Sequence, residues 1–214
     1  MTCTAPGPSF LLLAVVVLGA CGGAPPDADA HPPPGGSATP TADSAPATVV
    51  DSVLPMDVAL GRFRADLDEA TRLTSGAASR DELVRRIVDA LAAADTAAFE
   101  ALAVNRSEWA WLYFPTSPVA LPPYELPPGL AWFQLQEGNR KGVLRALREL
   151  GGRRIDYRGY RCPDEPTIQG NNQVWSDCRV TLSRDGADPV TIALFGAILE
   201  RDDRFAILSY ANDF

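Results

Sequence analysis

The hydrophobic pattern of this 214-residue chain changes period once, near Gly152. Before that point, as over residues 83–91, apolar side chains recur every three or four positions, which is typical of amphipathic helices. After it they alternate, as at Ile155 and Tyr157, which is typical of strands. Helices first and strands last predict an α+β fold, with N-terminal helices packed on a C-terminal antiparallel sheet of about four strands.

Local end signals place the predicted helices. A Ser-x-x-Glu capping box begins at Ser79, and Asp95 is a cap for the short helix that follows. A long helix is predicted over 130–150, with a break near Gly138-Asn139. Gly151 is predicted to end this helix in the left-handed conformation that glycine adopts without strain.

Turn residues divide the C-terminal part into strands. Gly159 is placed to form a bulge in the first strand, and a second strand is predicted over 174–182. Asp185-Gly186 marks a turn, and the apolar run 190–199 predicts a covered central strand. Asp202-Asp203 marks a hairpin into the last strand, so an antiparallel meander is expected.

The start of the chain has the pattern of an export signal. Residues 10–18 read FLLLAVVVL, which is too short for a bilayer span of about 20 residues but fits a signal-peptide core. The sequence Leu-Gly-Ala-Cys that follows, ending at Cys21, resembles the lipobox of bacterial lipoproteins. That resemblance implies cleavage of residues 1–20 and acylation of Cys21. Plain secretion and an apolar segment without a targeting role are the alternatives.

A Pro-, Gly- and Ala-rich stretch separates this signal from the rest of the chain. Residues 21–55 predict a lipidated, disordered tether, and residues 56–214 predict a single globular domain. The only histidine, His31, lies in the tether and is expected to be solvated.

The net charge of the chain bears on its partners. Because this net charge is −8, a nucleic-acid backbone is disfavoured as a partner. Gly22, where aspartate often marks inner-membrane retention, favours the outer membrane facing the periplasm.

Two cysteines remain after the signal peptide and the lipidated position are set aside. Cys162 and Cys178 fall on successive predicted strands with 15 residues between them. Export to an oxidising compartment favours a disulfide between them. Two buried free thiols, or a redox or metal pair, are the alternatives, although no CxxC spacing supports the latter.

The order of elements in the domain resembles a known superfamily. Paired helices ending in ADTAAFEAL, a later helix and a meander ending in FAILSYAND resemble the nuclear transport factor 2-like superfamily, over about residues 79–214. The resemblance implies a cone-like fold in which a curved sheet wraps round the helices and leaves an apolar cavity. It implies no single activity, since the superfamily contains both enzymes and binding proteins.

Recognisable catalytic motifs are absent from residues 56–214 of the sequence. The domain has no histidine, which excludes serine–histidine and cysteine–histidine chemistry as well as histidine metal sites. We therefore predict no metal and no cofactor. One catalytic candidate remains, a carboxylate base acting with a tyrosine donor, as in ketosteroid isomerase-like enzymes. The residues that could form it are Asp156 with Tyr157 or Tyr160.

The strand carboxylates Asp156 and Asp177 are nevertheless predicted not to act as general bases. Both are close in sequence to arginines, namely Arg154, Arg158 and Arg179. A neighbouring guanidinium favours the ionised carboxylate, whereas a general base near neutral pH needs a raised pKa. We therefore predict that the domain is not an enzyme.

Aromatic residues are concentrated around a proline-rich segment, 115–128. They form a candidate cleft for an apolar ligand or a peptide: Trp109, Trp111, Tyr113, Tyr124 and Trp132. The alternative is that these rings pin the proline-rich segment to the core. The stretch 108–114, which contributes three of them, fits either a helix or a strand.

A run of arginines begins the strand region: Arg153, Arg154, Arg158 and Arg161. It predicts a solvated edge or a contact with anionic headgroups, cell-wall polymer or a partner.

The leading hypothesis for the whole chain is a lipid-anchored cell-envelope protein whose non-catalytic domain binds a partner protein or a small ligand. The alternatives are a cavity hydrolase or isomerase and a structural subunit of an envelope assembly.

Overall fold

A computed structural model describes residues 54–212 and confirms the α+β prediction. The helices are α1 (Met56–Arg64), α2 (Arg80–Ala93), α3 (Thr96–Leu102), α4 (Arg106–Glu108) and α5 (Pro128–Leu150), with a π-helical turn over Trp109–Tyr113. The strands are β1 (Ile155–Arg161), β2 (Thr167–Gln169), β3 (Asn172–Ser176), β4 (Arg179–Arg184), β5 (Val190–Ile192), β6 (Ala197–Arg201) and β7 (Arg204–Ser209). The signal peptide, Cys21 and all but the last two residues of the predicted tether lie outside the described residues.

Polar caps begin α2 and α3 where the sequence predicts them. The Ser79 hydroxyl accepts the backbone N–H of Glu82 at 3.1 Å, and the Asp95 carboxylate accepts that of Ala98 at 3.1 Å. Each cap satisfies a first-turn N–H that has no partner within its own helix. The ambiguous stretch 108–114 is helical, because α4 continues directly into the π-helical turn.

Helix α5 is continuous from Pro128 to Leu150, so the predicted break near Gly138-Asn139 is wrong. A Cβ added at Gly138 would meet no atom within 4 Å, and Asn139 is buried against the end of β7. Packing on one face therefore holds the helix straight through two weak helix formers. Gly151 is extended, and Gly152, with φ of +68°, adopts the left-handed conformation predicted for Gly151.

The strands form two sheets instead of one sheet of about four. Their orders are β1-β4-β5 and β2-β3-β6-β7, and every pairing is antiparallel. The predicted strand over 174–182 is divided into β3 and β4, and that over 190–199 into β5 and β6. Asp177 has φ of +57°, which ends β3 because an extended strand cannot pass through the left-handed region. The chain therefore alternates between the two sheets.

The four-stranded sheet is covered on both faces. Trp175, Ile198 and Ile207 point into a first hydrophobic cluster, which they form with α2, α3 and the C-terminal half of α5. Their neighbours Val174 and Leu199 point into a second cluster, built around the π-helical turn. This alternation follows from the two-residue period of strands, and it places the sheet between two helical layers.

The three-stranded sheet is covered on one face only. Val180 and Leu182 of β4 are fully buried in the first cluster, while Thr181 between them faces outward. The predicted bulge occurs at Gly159, where the β1–β4 register shifts and φ is +140°. The bulge changes the direction of the side chains that follow, so that Arg161 lies on the exposed outer face.

Cys162 and Cys178 form the predicted disulfide, with their Cα atoms 4.0 Å apart. Cys162 follows β1 and Cys178 precedes β4, and these two strands pair directly. The bridge therefore joins the ends of paired strands that are not consecutive in the chain. The β2–β3 hairpin of the other sheet lies inside the loop that it closes, and closure of a loop of this size contributes about 3 kcal/mol.

Candidate functional site

Trp109, the first of the predicted cleft residues, lies in the hydrophobic core. It is 2% exposed, and its ring centroid lies 4.6 Å from that of Phe114, 5.3 Å from that of Trp132 and 5.6 Å from that of Phe63. These contacts hold α1, the residue that precedes the proline-rich segment and α5 around one indole. Trp109 therefore packs in the core, as in the alternative interpretation of the aromatic residues, and does not line a cleft.

Three other predicted cleft residues have different surroundings. The Trp111 ring is covered by the Arg64 guanidinium, whose central carbon is 3.9 Å from the ring centroid. Tyr113 is half-buried, and burial raises the pKa of its hydroxyl. Tyr124 is 70% exposed and lines an open depression of about 600 Å³ beside Ile168. Neither Trp111 nor Tyr113 lines that depression.

A cleft of about 490 Å³ lies between α3 and α5, and Trp132 is the predicted residue that lines it. Phe99 and Ala103 form the α3 wall, and Trp132 and Val143 form the α5 wall, with Tyr210 buried between the two helices. Asp95 fixes the start of α3, and the single 23-residue span of α5 supplies the opposite wall. The volume falls in the range of about 300–1,000 Å³ that is typical of small-molecule sites.

The polar groups at the base of this cleft are already paired within the protein. The Tyr210 hydroxyl donates to the carbonyl of Phe99 at 2.8 Å, and burial raises its pKa. The Asn139 side chain accepts the N–H of Tyr210 at 2.8 Å and donates to the carbonyl of Leu208. The base therefore offers mainly carbon surface to a ligand. Charged residues of both signs line the cleft equally: Glu100, Glu137, Arg106 and Arg140.

The candidate carboxylate–tyrosine pair is not assembled. The Asp156 side chain is 58% exposed, and its Oδ2 lies 2.6 Å from Nη2 of Arg158. Tyr157 and Tyr160 pack against the first hydrophobic cluster from the opposite face of the sheet. Asp177 is exposed at the turn between β3 and β4. Neither carboxylate therefore faces a tyrosine across a closed apolar cavity.

Glu108 is the buried carboxylate of residues 54–212, and the sequence analysis did not single it out. It is 1% exposed and accepts five hydrogen bonds, from the N–H and hydroxyl of Thr74, the N–H and hydroxyl of Ser75 and the N–H of Asn105. Burial raises its pKa, but the bonds from Ser75, Thr74 and Asn105 outweigh burial and hold the pKa below its ordinary value. The capping-box pattern Asn105-x-x-Glu108 was the available signal.

The predicted arginine run separates into paired and unpaired side chains. Arg153 lies 3.3 Å from Asp185, and Arg158 is paired with Asp156. Arg158 and Arg161 both line an open furrow of about 800 Å³ on the outer face of the three-stranded sheet, and within residues 54–212 Arg161 forms no ion pair.

No family model, curated protein or solved structure matches this chain. Within residues 54–212, no group of three or more histidine, cysteine, aspartate or glutamate side chains is placed to hold a metal ion. No helix in that part of the chain has the length and apolar character that crossing a bilayer requires. The lipobox and superfamily resemblances stay predictions.

Proposed function

We propose that this protein is a lipid-anchored component of the bacterial cell envelope whose folded domain binds a small apolar ligand without transforming it. The cleft between α3 and α5 carries the proposal, because its base presents paired polar groups and carbon surface. The balanced charges around it favour a ligand without net charge. The separation of Asp156 from Tyr157 and Tyr160 favours binding over acid–base catalysis.

The ligand is tested by purifying the intact protein from its own membranes and identifying extracted small molecules by mass spectrometry. Leu144 and Leu130 provide a matched pair, since both are exposed leucines of α5, at 53% and 44%, and only Leu144 lines the cleft. We expect Leu144→Glu to lose at least about nine-tenths of the bound ligand, because a carboxylate in an apolar cleft must be desolvated. Leu130→Glu is expected to keep it.

Two results would contradict the cleft proposal. One is the absence of any copurified small molecule from the wild-type protein. The other is equal ligand recovery from Leu144→Glu and Leu130→Glu, which would place the bound molecule elsewhere. Circular dichroism of each variant verifies that the substitutions leave the fold intact, as expected for such exposed positions.

The anchor is tested separately at Cys21. Two or three acyl chains contribute about 0.8 kcal/mol per buried CH₂, which is enough for stable membrane attachment. We expect Cys21→Ser to be released from membranes or left unprocessed, and Cys3→Ser, within the predicted signal peptide, to behave as wild type. Mass spectrometry of the mature wild-type N-terminus identifies the acyl groups. An unmodified Cys21, or retention of residues 1–20, would overturn the anchor without affecting the cleft.

A further inference from the structure

Arg161 and Arg179 are direct cross-strand partners at the end of the β1–β4 ladder. Both are exposed, and both line the furrow on the outer face of the three-stranded sheet. Side chains directly opposite one another on antiparallel strands start about 5 Å apart, and like charges in that position repel. Among residues 54–212, no carboxylate forms an ion pair with either guanidinium.

The disulfide fixes this repulsive arrangement in place. Cys162 directly follows Arg161, and Cys178 directly precedes Arg179, so the bridge closes the ladder one residue beyond the two arginines. The strand ends cannot move apart to relieve the repulsion. The two cationic side chains are therefore held side by side before any ligand arrives, and preorganisation of this kind lowers the cost of binding.

Other groups in the furrow limit what it can bind. The hydroxyls of Thr181 and Thr191 bond to each other at 2.8 Å, and because one hydrogen makes that bond, the second hydroxyl hydrogen is left to donate outward. Arg158 also lines the furrow, but its charge is balanced by the ion pair with Asp156. Asp164 and Asp177 line the same furrow. Their negative charge disfavours a long polyanion and favours a compact anion that contacts the two arginines alone.

We propose that Arg161 and Arg179 form a binding site for a phosphate group. A phosphate monoester carries about −1.5 to −2 charge near neutral pH, which matches two guanidinium groups, whereas a single carboxylate carries only one charge. The planar donor forks of two arginines suit the oxygens of a tetrahedral anion. The phosphate monoester belongs either to a free metabolite or to a phospholipid whose headgroup ends in a phosphate monoester, such as phosphatidic acid. This site goes beyond the apolar cleft and is independent of it.

The test uses the whole chain carrying Cys21→Ser, so that no attached acyl chain contributes. Isothermal titration calorimetry with glycerol phosphate at low ionic strength measures the site directly. We expect Arg161→Gln and Arg179→Gln each to weaken binding at least about tenfold, as loss of charge-assisted hydrogen bonds requires. Arg153→Gln, which removes an exposed arginine paired with Asp185, is the matched control and is expected to change the affinity less than about twofold.

Flotation with phosphatidic acid and phosphatidylcholine vesicles distinguishes the two sources of phosphate. Arginine-dependent binding to phosphatidic acid vesicles assigns a headgroup, and binding of glycerol phosphate alone assigns a free metabolite. Reduction of the disulfide is expected to weaken binding several-fold, because it releases the strand ends. The proposal is wrong if neither probe binds, if Arg161→Gln and Arg179→Gln bind like wild type, or if Arg153→Gln loses as much affinity as they do.

Discussion

Replacement of Gly142 by alanine is expected to lower the free energy of unfolding by about 4 kcal/mol. Gly142 lies on the face of α5 that meets the end of β7, where an added Cβ would overlap the carbonyl oxygen of Tyr210 and lie 2.6 Å from its carbon. Because these are backbone atoms, no rotamer change relieves the clash. The Asn212 side chain, which donates to the Gly142 carbonyl at 2.9 Å, holds the two segments together.

Gly138, one turn earlier on the same helix, provides the control. An added Cβ there meets nothing within 4 Å, so Gly138→Ala is expected to stabilise the protein by up to about 1 kcal/mol through helix propensity. Urea unfolding followed by circular dichroism measures both variants. Equal stability of the two variants would contradict the close approach of α5 to Tyr210.

Glu108→Gln is expected to cost about 4 kcal/mol of stability at neutral pH. The carboxylate accepts five hydrogen bonds, whereas a glutamine amide has one acceptor oxygen and would turn its NH₂ towards the donors of Ser75, Thr74 or Asn105. Glu137→Gln, at a carboxylate whose ion pair with Arg140 is screened by solvent, is expected to leave the stability nearly unchanged.

The effect of Glu108→Gln on the free energy of unfolding is expected to depend on pH. Since the folded-state pKa of Glu108 is lowered, its contribution is fully present above the pKa of glutamate in the unfolded chain and is lost as the pH falls through the folded-state pKa. The difference in unfolding free energy between wild type and Glu108→Gln is therefore expected to be largest near neutral pH and to shrink below about pH 4. A difference that is constant with pH would show that the charge is not responsible.

Features with local signals could be predicted from the sequence, and those that depend on distant contacts could not. The caps Ser79 and Asp95, the Gly159 bulge and the Asp202-Asp203 hairpin all follow from residues within a few positions of each other. The division of the strand over 174–182 left no such signal, because the alternation of apolar residues continues through it. The strand is divided because the backbone of Asp177 is left-handed, and the sequence around Asp177 does not predict that conformation.

The candidate site illustrates the same limit. A high density of aromatic residues indicates burial as readily as a cleft, and the packing of Trp109 against three other rings could not be separated from ligand binding in the sequence. The cleft itself needs α3 and α5 to approach each other across the intervening helices. Trp132 was predictable as an aromatic residue near the proline-rich segment, but Phe99, which lines the same cleft, had no signal beyond its place in a short predicted helix.

Because the chain alternates between the two sheets, truncation from its C-terminus affects the two sheets differently. The three-stranded sheet is complete once β5 has been made, but β3 lacks its partner β6 until residues 197–201 are present. A chain ending before β6 would leave the β2–β3 hairpin without its neighbouring strand and would remove Ile198, Leu199 and Ile207 from the two hydrophobic clusters. Completion of the four-stranded sheet during synthesis must therefore wait for the C-terminal hairpin, and nonsense truncation anywhere before that hairpin removes the closed core as well as the last two strands.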